Sequence, residues 1–344
     1  MGELRTAGGR RALLKLGSAL LLAWLLATAP GYAQGETLVI YSGRSEALVQ
    51  PLIDRFVATT GINVRVRYGD TAELAATILE EGDRSPADVY WAQDAGALGA
   101  LEAYDRLSPL PDELLARVDH RLQSPAGVWV ATSGRARVVA YNTRLVPPSE
   151  LPESIWGFTD PKWRGRIGWA PTNGSFQAFV TALRLLEGDE RAEKWLRGVL
   201  ANQPRVYRNN TAIVDAVGRG EIHVGFVNHY YLHRFLAEQG EKFPVRNHHT
   251  SGDAGAIINI AGVGILKSSR AKEAALRFVE FLLSPEAQEY FAQEVYEYPV
   301  LLGVEIEINP HVIPLDEINA PHLNLGDLKD LEGTLEMLQR VGVL

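Results

Sequence analysis

Strand and helix signals alternate along this chain, and that alternation limits the possible folds more than any other feature of the sequence. A short apolar strand at residues 38–41 precedes apolar residues at helical spacing over 48–57, and a second strand with alternating apolar residues covers 64–68. A third apolar strand lies at 87–91. Strands that alternate with helices form a mostly parallel sheet with helices on both faces. The sequence therefore predicts an α/β fold.

The same alternation continues to the end of the chain. Asp70 and Glu73 have the spacing of a capping box at the start of the helix before the third strand. A length of 344 residues favours more than one lobe. No low-complexity linker divides the chain, so two lobes would be joined by several crossings. Later predicted elements are strands at 128–131, 138–141, 167–170 and 222–227, helices at 176–186, 192–200, 211–217 and 274–282, and a glycine-interrupted strand pair at 256–266.

The N-terminus has the features of an export signal. A basic region that includes Arg10 and Arg11 precedes an apolar run of 14 residues at 16–29, which is short for a membrane span of about 20 residues. Gly31 and Ala33 supply the small residues of a cleavage site. We therefore predict a signal peptide at residues 1–33. The two arginines also resemble a twin-arginine signal, and the sequence leaves that route and the general secretory route both open.

Charge and cysteine content exclude several classes of function. Removal of residues 1–33 leaves 30 basic and 41 acidic residues, a formal charge of −11. No basic stripe is present, so we expect no nucleic-acid partner. The chain has no cysteine, so any metal has to be held by oxygen and nitrogen ligands. Nucleophile-elbow, zinc-protease and phosphate-loop motifs are absent from the sequence, which makes an exported enzyme the least favoured function.

Five short segments carry a family resemblance when they are taken together. They are 85–89 (SPADV), 133–141 (SGRARVVAY), 163–168 (WRGRIG), 171–176 (PTNGSF) and 227–231 (VNHYY). In this order they resemble the periplasmic ferric-ion-binding proteins of iron importers, over residues 36–344. The resemblance implies a two-lobed periplasmic-binding-protein fold, the Venus flytrap, with mixed, mostly parallel sheets and an interlobe cleft. It implies an N-lobe of residues 34–134 with 262–310 and a C-lobe of 135–261 with 311–344.

The resemblance also implies a metal site. The adjacent tyrosine ligands of the family correspond to Tyr230 and Tyr231. The implied cargo is ferric ion (Fe3+) with a synergistic anion such as carbonate, bicarbonate or phosphate. The implied partner is the membrane permease of an ABC transporter, to which a monomeric periplasmic protein delivers this small inorganic ligand. Contacts to the anion correspond to Arg135, Asn173, Gly174, Ser175, Asn210 and Asn228.

The sequence departs from this family on the N-lobe side of the implied site. Ser45 and Gln93 stand where some members place a histidine and a glutamate ligand. We expect these two residues to lie near the metal as weak ligands or none. Arg44 precedes Ser45, and a guanidinium group can bind a planar anion with two hydrogen bonds. We therefore expect Arg44 and the anion to replace the missing N-lobe ligands.

Elementary chemistry explains why two neighbouring phenols suit a ferric ion as ligands. A tyrosine titrates near pH 10, so a phenolate at pH 7 costs about 4 kcal/mol. A trivalent cation supplies the positive charge that recovers this cost for two neighbours. A tyrosine pair by itself is more often one core ring and one surface ring. The position after a predicted strand favours the site, because ligands of open α/β sheets lie beyond the carboxyl ends of strands.

Other readings of the same residues remain open. Asn173-Gly174-Ser175 is also a common helix cap, and a helix start serves both as a cap and as an anion site. Arg135 and Arg137 alternate on one predicted strand, so we expect one of them to face solvent, and the resemblance favours Arg135 for the site. We expect His229 and His233 to be hydrogen-bonded or solvated rather than metal ligands. The same fold with a phosphonate, another oxyanion or a polyamine as ligand is the main alternative.

Overall fold

The computed structural model of the protein describes residues 1–2, 37–323 and 325–344. Residues 37–344 form one compact unit, distinct from residues 1–36. Apart from its first two residues, the predicted signal peptide with Arg10 and Arg11 lies outside the described residues. Among the described residues, no helix is both long enough and apolar enough to cross a bilayer.

The strands of residues 37–344 form one mixed sheet. In spatial order the strands are β2-β1-β3-β9-β4-β7-β5-β6, with β8 paired to β4 beside this path, where the numbering follows the chain and the ranges are given next. The nine strands of the described chain are β1 (Leu38–Ser42), β2 (Val64–Tyr68), β3 (Val89–Ala92), β4 (Trp129–Asn142), β5 (Ile167–Trp169), β6 (Arg205–Val206), β7 (Val224–Asn228), β8 (Val245–His248) and β9 (Ile258–Ile265).

Helices cover this sheet, and most of them lie where apolar residues recur at helical spacing. The predicted α/β class is confirmed. The α-helices of the described residues are α1 (Glu46–Thr60), α2 (Thr71–Glu81), α3 (Ala95–Ala103), α4 (Asp112–Leu115), α5 (Gly174–Glu187), α6 (Asp189–Ala201), α7 (Asn210–Gly218), α8 (Tyr230–Gln239), α9 (Lys272–Leu282), α10 (Pro285–Tyr290) and α11 (Leu331–Val341).

Two groups of parallel strands are joined by a long antiparallel crossing. β1 pairs in parallel with β2 and β3, and β5 pairs in parallel with β6 and β7. Between these groups, β4 runs antiparallel to β9 over its first part and antiparallel to β7 and β8 over its last part. The register of β4 on β9 shifts between Ala131 and Ser133. β4 and β9 therefore connect the two halves of the sheet, and polar residues of β4 lie at the junction.

The structure corrects two strand predictions. Segments 128–131 and 138–141 are the two ends of the single strand β4, because the polar residues between them are also buried and paired. The predicted strand pair at 256–266 is the single strand β9. Its Gly262 permits close packing rather than a turn, since a Cβ there would lie 2.7 Å from Leu98 Cδ1 and 3.1 Å from the Val130 carbonyl oxygen.

The start of α2 is correct to the residue, but its predicted capping box is absent. Asp70 is the N-cap residue in an extended conformation, and its side chain accepts no cap hydrogen bond. The first turn is closed by the backbone instead, where Leu74 N–H donates to the Asp70 carbonyl oxygen at 2.9 Å. The spacing of Asp70 and Glu73 therefore predicted where α2 begins, but the Asp70 side chain does not form the predicted capping hydrogen bond.

Candidate metal centre

Several helices begin at one place beyond the ends of the strands. α5 begins at Gly174 and α7 at Asn210. The Asn210 side-chain amide donates to Asn173 Oδ1 at 3.4 Å and to Ser175 Oγ at 3.2 Å, which ties the two helix starts together. Asn173 also caps α5, because its Oδ1 accepts from Ser175 N–H at 3.2 Å. Helix starts present unpaired N–H groups and the positive end of the helix dipole, so this place favours a bound anion.

The two tyrosines form the first turn of α8, directly after β7. Their ring centroids lie 4.2 Å apart with 30° between the ring planes. Tyr230 is completely buried and Tyr231 is 6% exposed. The Tyr231 hydroxyl accepts a hydrogen bond from Gln93 Nε2 at 3.5 Å, whereas the Tyr230 hydroxyl has no partner among the described residues. Both phenols therefore lie side by side in the interior, at a helix start that favours negative charge.

Burial holds the phenol of Tyr230 in its neutral form. It raises the pKa of Tyr230 well above 10, and the nearby Tyr231 and Glu297 act in the same direction. Arg44 and Arg135 oppose this shift, but they do not overcome the loss of solvent. Ionisation of Tyr230 at neutral pH therefore needs a cation of high charge in direct contact with its oxygen.

Three arginines with less than 4% exposure surround the tyrosines: Arg44, Arg135 and Arg137. The guanidinium nitrogens of Arg135 have no hydrogen-bond partner among the described residues, and Arg44 leaves Nε and Nη1 unpaired. Burial lowers the pKa of Arg135 and lowers that of Arg137 to about 9. Buried donors are nearly always paired in proteins, so these nitrogens mark a position for an acceptor.

Arg137 corrects one expectation from the sequence. It does not face solvent, because β4 is buried along its whole length. Its Nη2 donates to the Phe226 carbonyl oxygen at 3.0 Å and its Nη1 to Ser175 Oγ at 3.5 Å. Its guanidinium lies over the rings of Phe176 and Phe179, at 5.7 and 5.4 Å from the centroids. Arg137 therefore links β7 to the start of α5, whereas the Arg135 donors have no partner in the described ranges of the chain.

A buried glutamate that sequence reasoning did not identify lies against these arginines. Glu297 Oε2 accepts from Arg44 Nη2 at 2.8 Å and from Ser133 Oγ at 2.5 Å, and its Oε1 has no partner among the described residues. The glutamate follows a π-helical turn and Tyr296, whose φ is +64°. Helical periodicity does not reveal such a turn. The available signal was an acid within the apolar segment Tyr-Glu-Tyr-Pro-Val, since glutamate is rarely buried unless it is paired.

Asp94 was also missed, and it lies where two groups of helices meet. It caps α3, with Oδ1 accepting from Ala97 N–H at 3.1 Å, and its Oδ2 is buried without a partner among the described residues. A Cβ on Gly174 would lie 2.5 Å from that Oδ2 and 3.1 Å from Thr71 Cβ. Only glycine therefore lets the start of α5 come this close to the starts of α2 and α3.

The pKa of Asp94 makes its effect on stability depend on pH. Burial raises this pKa to about 6, with Arg135 opposing, whereas an unfolded aspartate titrates near 3.9. The folded state therefore carries a penalty of about 3 kcal/mol above pH 6 that disappears below about pH 4. Asp94→Asn keeps the cap acceptor. It should raise the free energy of unfolding of the metal-free protein by up to about 3 kcal/mol at pH 8 and by little at pH 4.

Urea unfolding of the metal-free protein at both pH values measures this effect. Asp316→Asn is the matched control, because Asp316 is exposed and its amide should change stability by less than about 0.5 kcal/mol. An equal gain for Asp94→Asn at pH 4 and pH 8 would contradict the assignment of the raised pKa.

The structure brings most of the predicted site residues together. One buried region is lined by the two tyrosines, Arg44, Arg135, Gln93 and residues 173–175. Asn210 joins this region through its hydrogen bonds. Asn228 is buried at the end of β7, and its Nδ2 has no partner within the described part of the chain. Ser45 is exposed and lines a surface cavity of about 520 Å3 that Tyr231 and Arg208 also line. Their binding roles stay predictions.

The histidines do not form a metal site of the ordinary kind. His229 Nδ1 accepts from Ala136 N–H at 3.1 Å, and its Nε2 donates to the Tyr296 carbonyl oxygen at 2.7 Å. Burial lowers the pKa of His229 to about 3, so the ring is neutral. The prediction that this histidine is hydrogen-bonded is confirmed. Across residues 37–323 and 325–344, no three histidine, aspartate or glutamate side chains are grouped to hold a metal ion.

These features define a class of protein. An α/β fold whose two halves are joined by crossing strands encloses a polar site of helix starts, arginines and paired phenols at the junction. This arrangement is typical of a binding protein for a small solute.

The chain belongs to the bacterial extracellular solute-binding protein family, whose sequence profile matches residues 81–323. It is 36% identical over 339 residues to the major ferric iron-binding protein of Neisseria meningitidis, covering 94% of this chain and 98% of the relative. Iron-bound HitA from Pseudomonas aeruginosa is similar in structure, with a TM-score of 0.84 and 36% identity over 89% of this chain and 99% of that one. A Trichodesmium protein solved with iron and citrate ligands has a TM-score of 0.73 and 32% identity, over 89% of this chain and 99% of that one.

These comparisons confirm the fold class and the family resemblance that the sequence predicted. The two-lobed periplasmic-binding-protein fold is shared along nearly the whole length of the solved relatives. The family is one of solute-binding proteins and not of enzymes.

Proposed function

We propose that this protein captures ferric ion in the periplasm and delivers it to the permease of an ABC importer. In this proposal Tyr230 and Tyr231 ligate the ion as phenolates, and a carbonate-like or phosphate-like anion completes the coordination. The single observation that carries the proposal is the pair of buried phenols, 4.2 Å apart between ring centroids, beside arginine donors that have no partner among the described residues. Relatives named as ferric iron-binding proteins support it.

The metal-free site suits a hard, highly charged cation only if an anion comes with it. Ligation by both phenols releases two protons and leaves one net positive charge from a trivalent ion. Arg44, Arg135 and Arg137 already add positive charge to this buried region. An anion is therefore needed to balance the loaded site, because uncompensated buried charge is strongly unfavourable.

The free donors lie where such an anion would bind. Arg135 offers its three guanidinium nitrogens, Arg44 offers two, and Asn228 offers Nδ2. The start of α5 at Gly174 adds the positive end of a helix dipole. A planar carbonate matches the fork of a guanidinium group, and phosphate matches it nearly as well. The Trichodesmium relative, solved with iron and citrate ligands, supports an anionic oxygen ligand beside the metal.

The N-lobe side supplies weak contacts in this proposal. Gln93 reaches Tyr231 at 3.5 Å, and Ser45 lies outside at the surface cavity. In this proposal the lobes are residues 34–134 with 262–310 and residues 135–261 with 311–344, and they meet where Gly174 packs against Asp94. Closure would present a loaded monomer to the permease.

A visible absorption band tests the function directly. Ferric ion bound by phenolate absorbs intensely in the visible, so the metal-free protein should turn yellow to red when ferric ion and bicarbonate are added together. Because each ligating phenol releases a proton, the affinity for free Fe3+, measured against a competing chelator of known pH dependence, should fall about 100-fold for each pH unit below 7. A colourless protein, or an affinity independent of pH, would contradict two-tyrosinate ligation.

One observation favours a second candidate, an oxyanion or phosphonate bound without metal. The three buried arginines outnumber the buried carboxylates of Glu297 and Asp94 around the site. They also disfavour a polyamine, which would bring further positive charge. Calorimetric titration of the metal-free protein with phosphate and with a phosphonate tests this candidate. Tight binding without iron, and no visible band with iron, would replace the iron proposal.

A further inference from the structure

The positive charges around the site raise the question of how it would select a metal cation with its anion over an anion alone. Three buried guanidinium groups attract an anion by themselves, so a site of this kind does not need a metal to be occupied. Loading ferric ion onto the anion-bound site, with loss of two phenol protons to solvent, adds one positive charge. Binding of the anion alone adds negative charge. A fixed negative charge next to the arginines therefore favours loading of ferric ion onto the anion-bound site and disfavours binding of the anion alone.

Glu297 supplies such a charge from within the fold. Its carboxylate is 1% exposed and lies 2.8 Å from Arg44 Nη2. Its negative charge also acts on Tyr230 and on Arg135, whose guanidinium has no hydrogen-bond partner among the described residues. Glu297 is therefore close to the proposed anion donors and to one proposed metal ligand, although it belongs to neither group.

The backbone around Glu297 fixes this carboxylate in place. Tyr298 pairs with Gly134 through two backbone hydrogen bonds of 2.7 and 2.8 Å, and its ring stacks on His229 at 4.8 Å. His229 donates to the Tyr296 carbonyl oxygen and directly precedes Tyr230 in the chain. The segment 296–298 is thus attached both to β4 and to the turn that carries the tyrosines. These contacts hold the backbone of Glu297 next to the arginines.

We propose that Glu297 determines the selectivity of this arginine-rich site for a metal cation with its anion over an anion alone. The inference rests on the proposed function, because it takes the two tyrosines as metal ligands. Glu297 acts as a counter-charge: it satisfies one nitrogen of Arg44 and weakens the attraction of the other arginine donors for a free oxyanion. It also stabilises the extra positive charge that the ferric ion brings.

Glu297→Gln tests the charge with little change in shape, since the amide oxygen still accepts from Ser133 and Arg44. We expect the affinity for ferric ion, measured by the visible band at saturating bicarbonate, to fall on the order of tenfold to a hundredfold. The affinity of the metal-free protein for inorganic phosphate, measured by calorimetry, should rise by a similar factor. Glu294→Gln is the matched control, because Glu294 is exposed three residues before Glu297 and should change neither affinity.

Arg44→Gln is the reciprocal variant, and it keeps the proposal open to contradiction if Glu297→Gln does not fold. It removes one positive charge while Glu297 remains, so the phosphate affinity of the metal-free protein should fall on the order of tenfold or more. Unchanged phosphate affinity in either folded variant, or a fall in Glu297→Gln, overturns the proposal.

The visible band of the wild-type protein distinguishes failure of the Glu297 proposal from failure of the proposed function. A wild-type protein without a visible band overturns tyrosine ligation itself, whatever the variants do. A coloured wild-type protein, with a Glu297→Gln variant of unchanged ferric and phosphate affinities, overturns only the role of Glu297.

Discussion

Tyr230→Phe and Tyr231→Phe should each lower the affinity for ferric ion by more than about a hundredfold. Loss of a residue that only supports a metal ligand lowers metal affinity by up to about a hundredfold, and loss of a ligand itself should have a larger effect. Each change removes an anionic ligand from a trivalent ion while leaving the aromatic ring in place. The visible band should weaken with either single variant and disappear in the double variant. Titration of metal-free protein with ferric ion at saturating bicarbonate measures both effects.

The fold itself should survive these changes. The Tyr230 hydroxyl is buried without a partner among the described residues, so its removal should leave the stability of the metal-free protein unchanged or raise it by about 1 kcal/mol. Tyr104→Phe is the control, because Tyr104 is 57% exposed and should affect neither colour nor stability. If Tyr230→Phe and Tyr231→Phe retain wild-type ferric affinity in a folded protein, the iron proposal is wrong.

Arg135→Met should change binding and stability in opposite directions. The Arg135 guanidinium is 1% exposed and has no hydrogen-bond partner among the described residues. A buried unpaired charge is unfavourable, so an apolar side chain of similar length should stabilise the metal-free protein by about 1–3 kcal/mol. The loaded site should lose two or more charge-assisted hydrogen bonds to the anion, which lowers ferric affinity by roughly a hundredfold or more.

Two measurements on the same samples check this pair of effects. Urea unfolding of the metal-free protein gives the stability, and the visible band at fixed bicarbonate gives the affinity. The affinity loss should shrink if Lys replaces Arg135, because the positive charge is kept while the forked geometry is lost. Arg270→Met, at an exposed position, serves as the control. Loss of stability together with unchanged ferric affinity would show that Arg135 is structural and does not bind the anion.

Local sequence patterns were sufficient for the class of fold. The apolar run of β1 and the helical spacing in α1, with its end at Gly61, gave the correct elements and nearly the correct limits. The long strand β4 was predicted as two strands, because its polar middle resembles a loop when only neighbouring residues are considered. β9 was predicted as a pair for a related reason: its glycines resemble a turn, whereas they make room for Leu98.

In the candidate site too, local sequence patterns indicated some residues and missed others. Tyr230, Tyr231 and the cap at Asn173 follow strand ends, so a sequence can indicate them by position and by family resemblance. Glu297 lies 253 residues from Arg44, its partner, and no local pattern connects them. Arg137 was expected to be a surface alternative to Arg135, because alternation along a strand cannot show that both faces are covered.

The sequence alone determined the α/β class, the acidic and cysteine-free character of the chain, and the residue types available for a metal. Those properties depend on periodicity and composition, which are local or additive. Only the tertiary structure decided which charges share the interior: three arginines, two carboxylates and two phenols that come from distant parts of the chain. Their mutual distances and loss of solvent set the charge balance of the site, and both quantities exist only after the chain has folded.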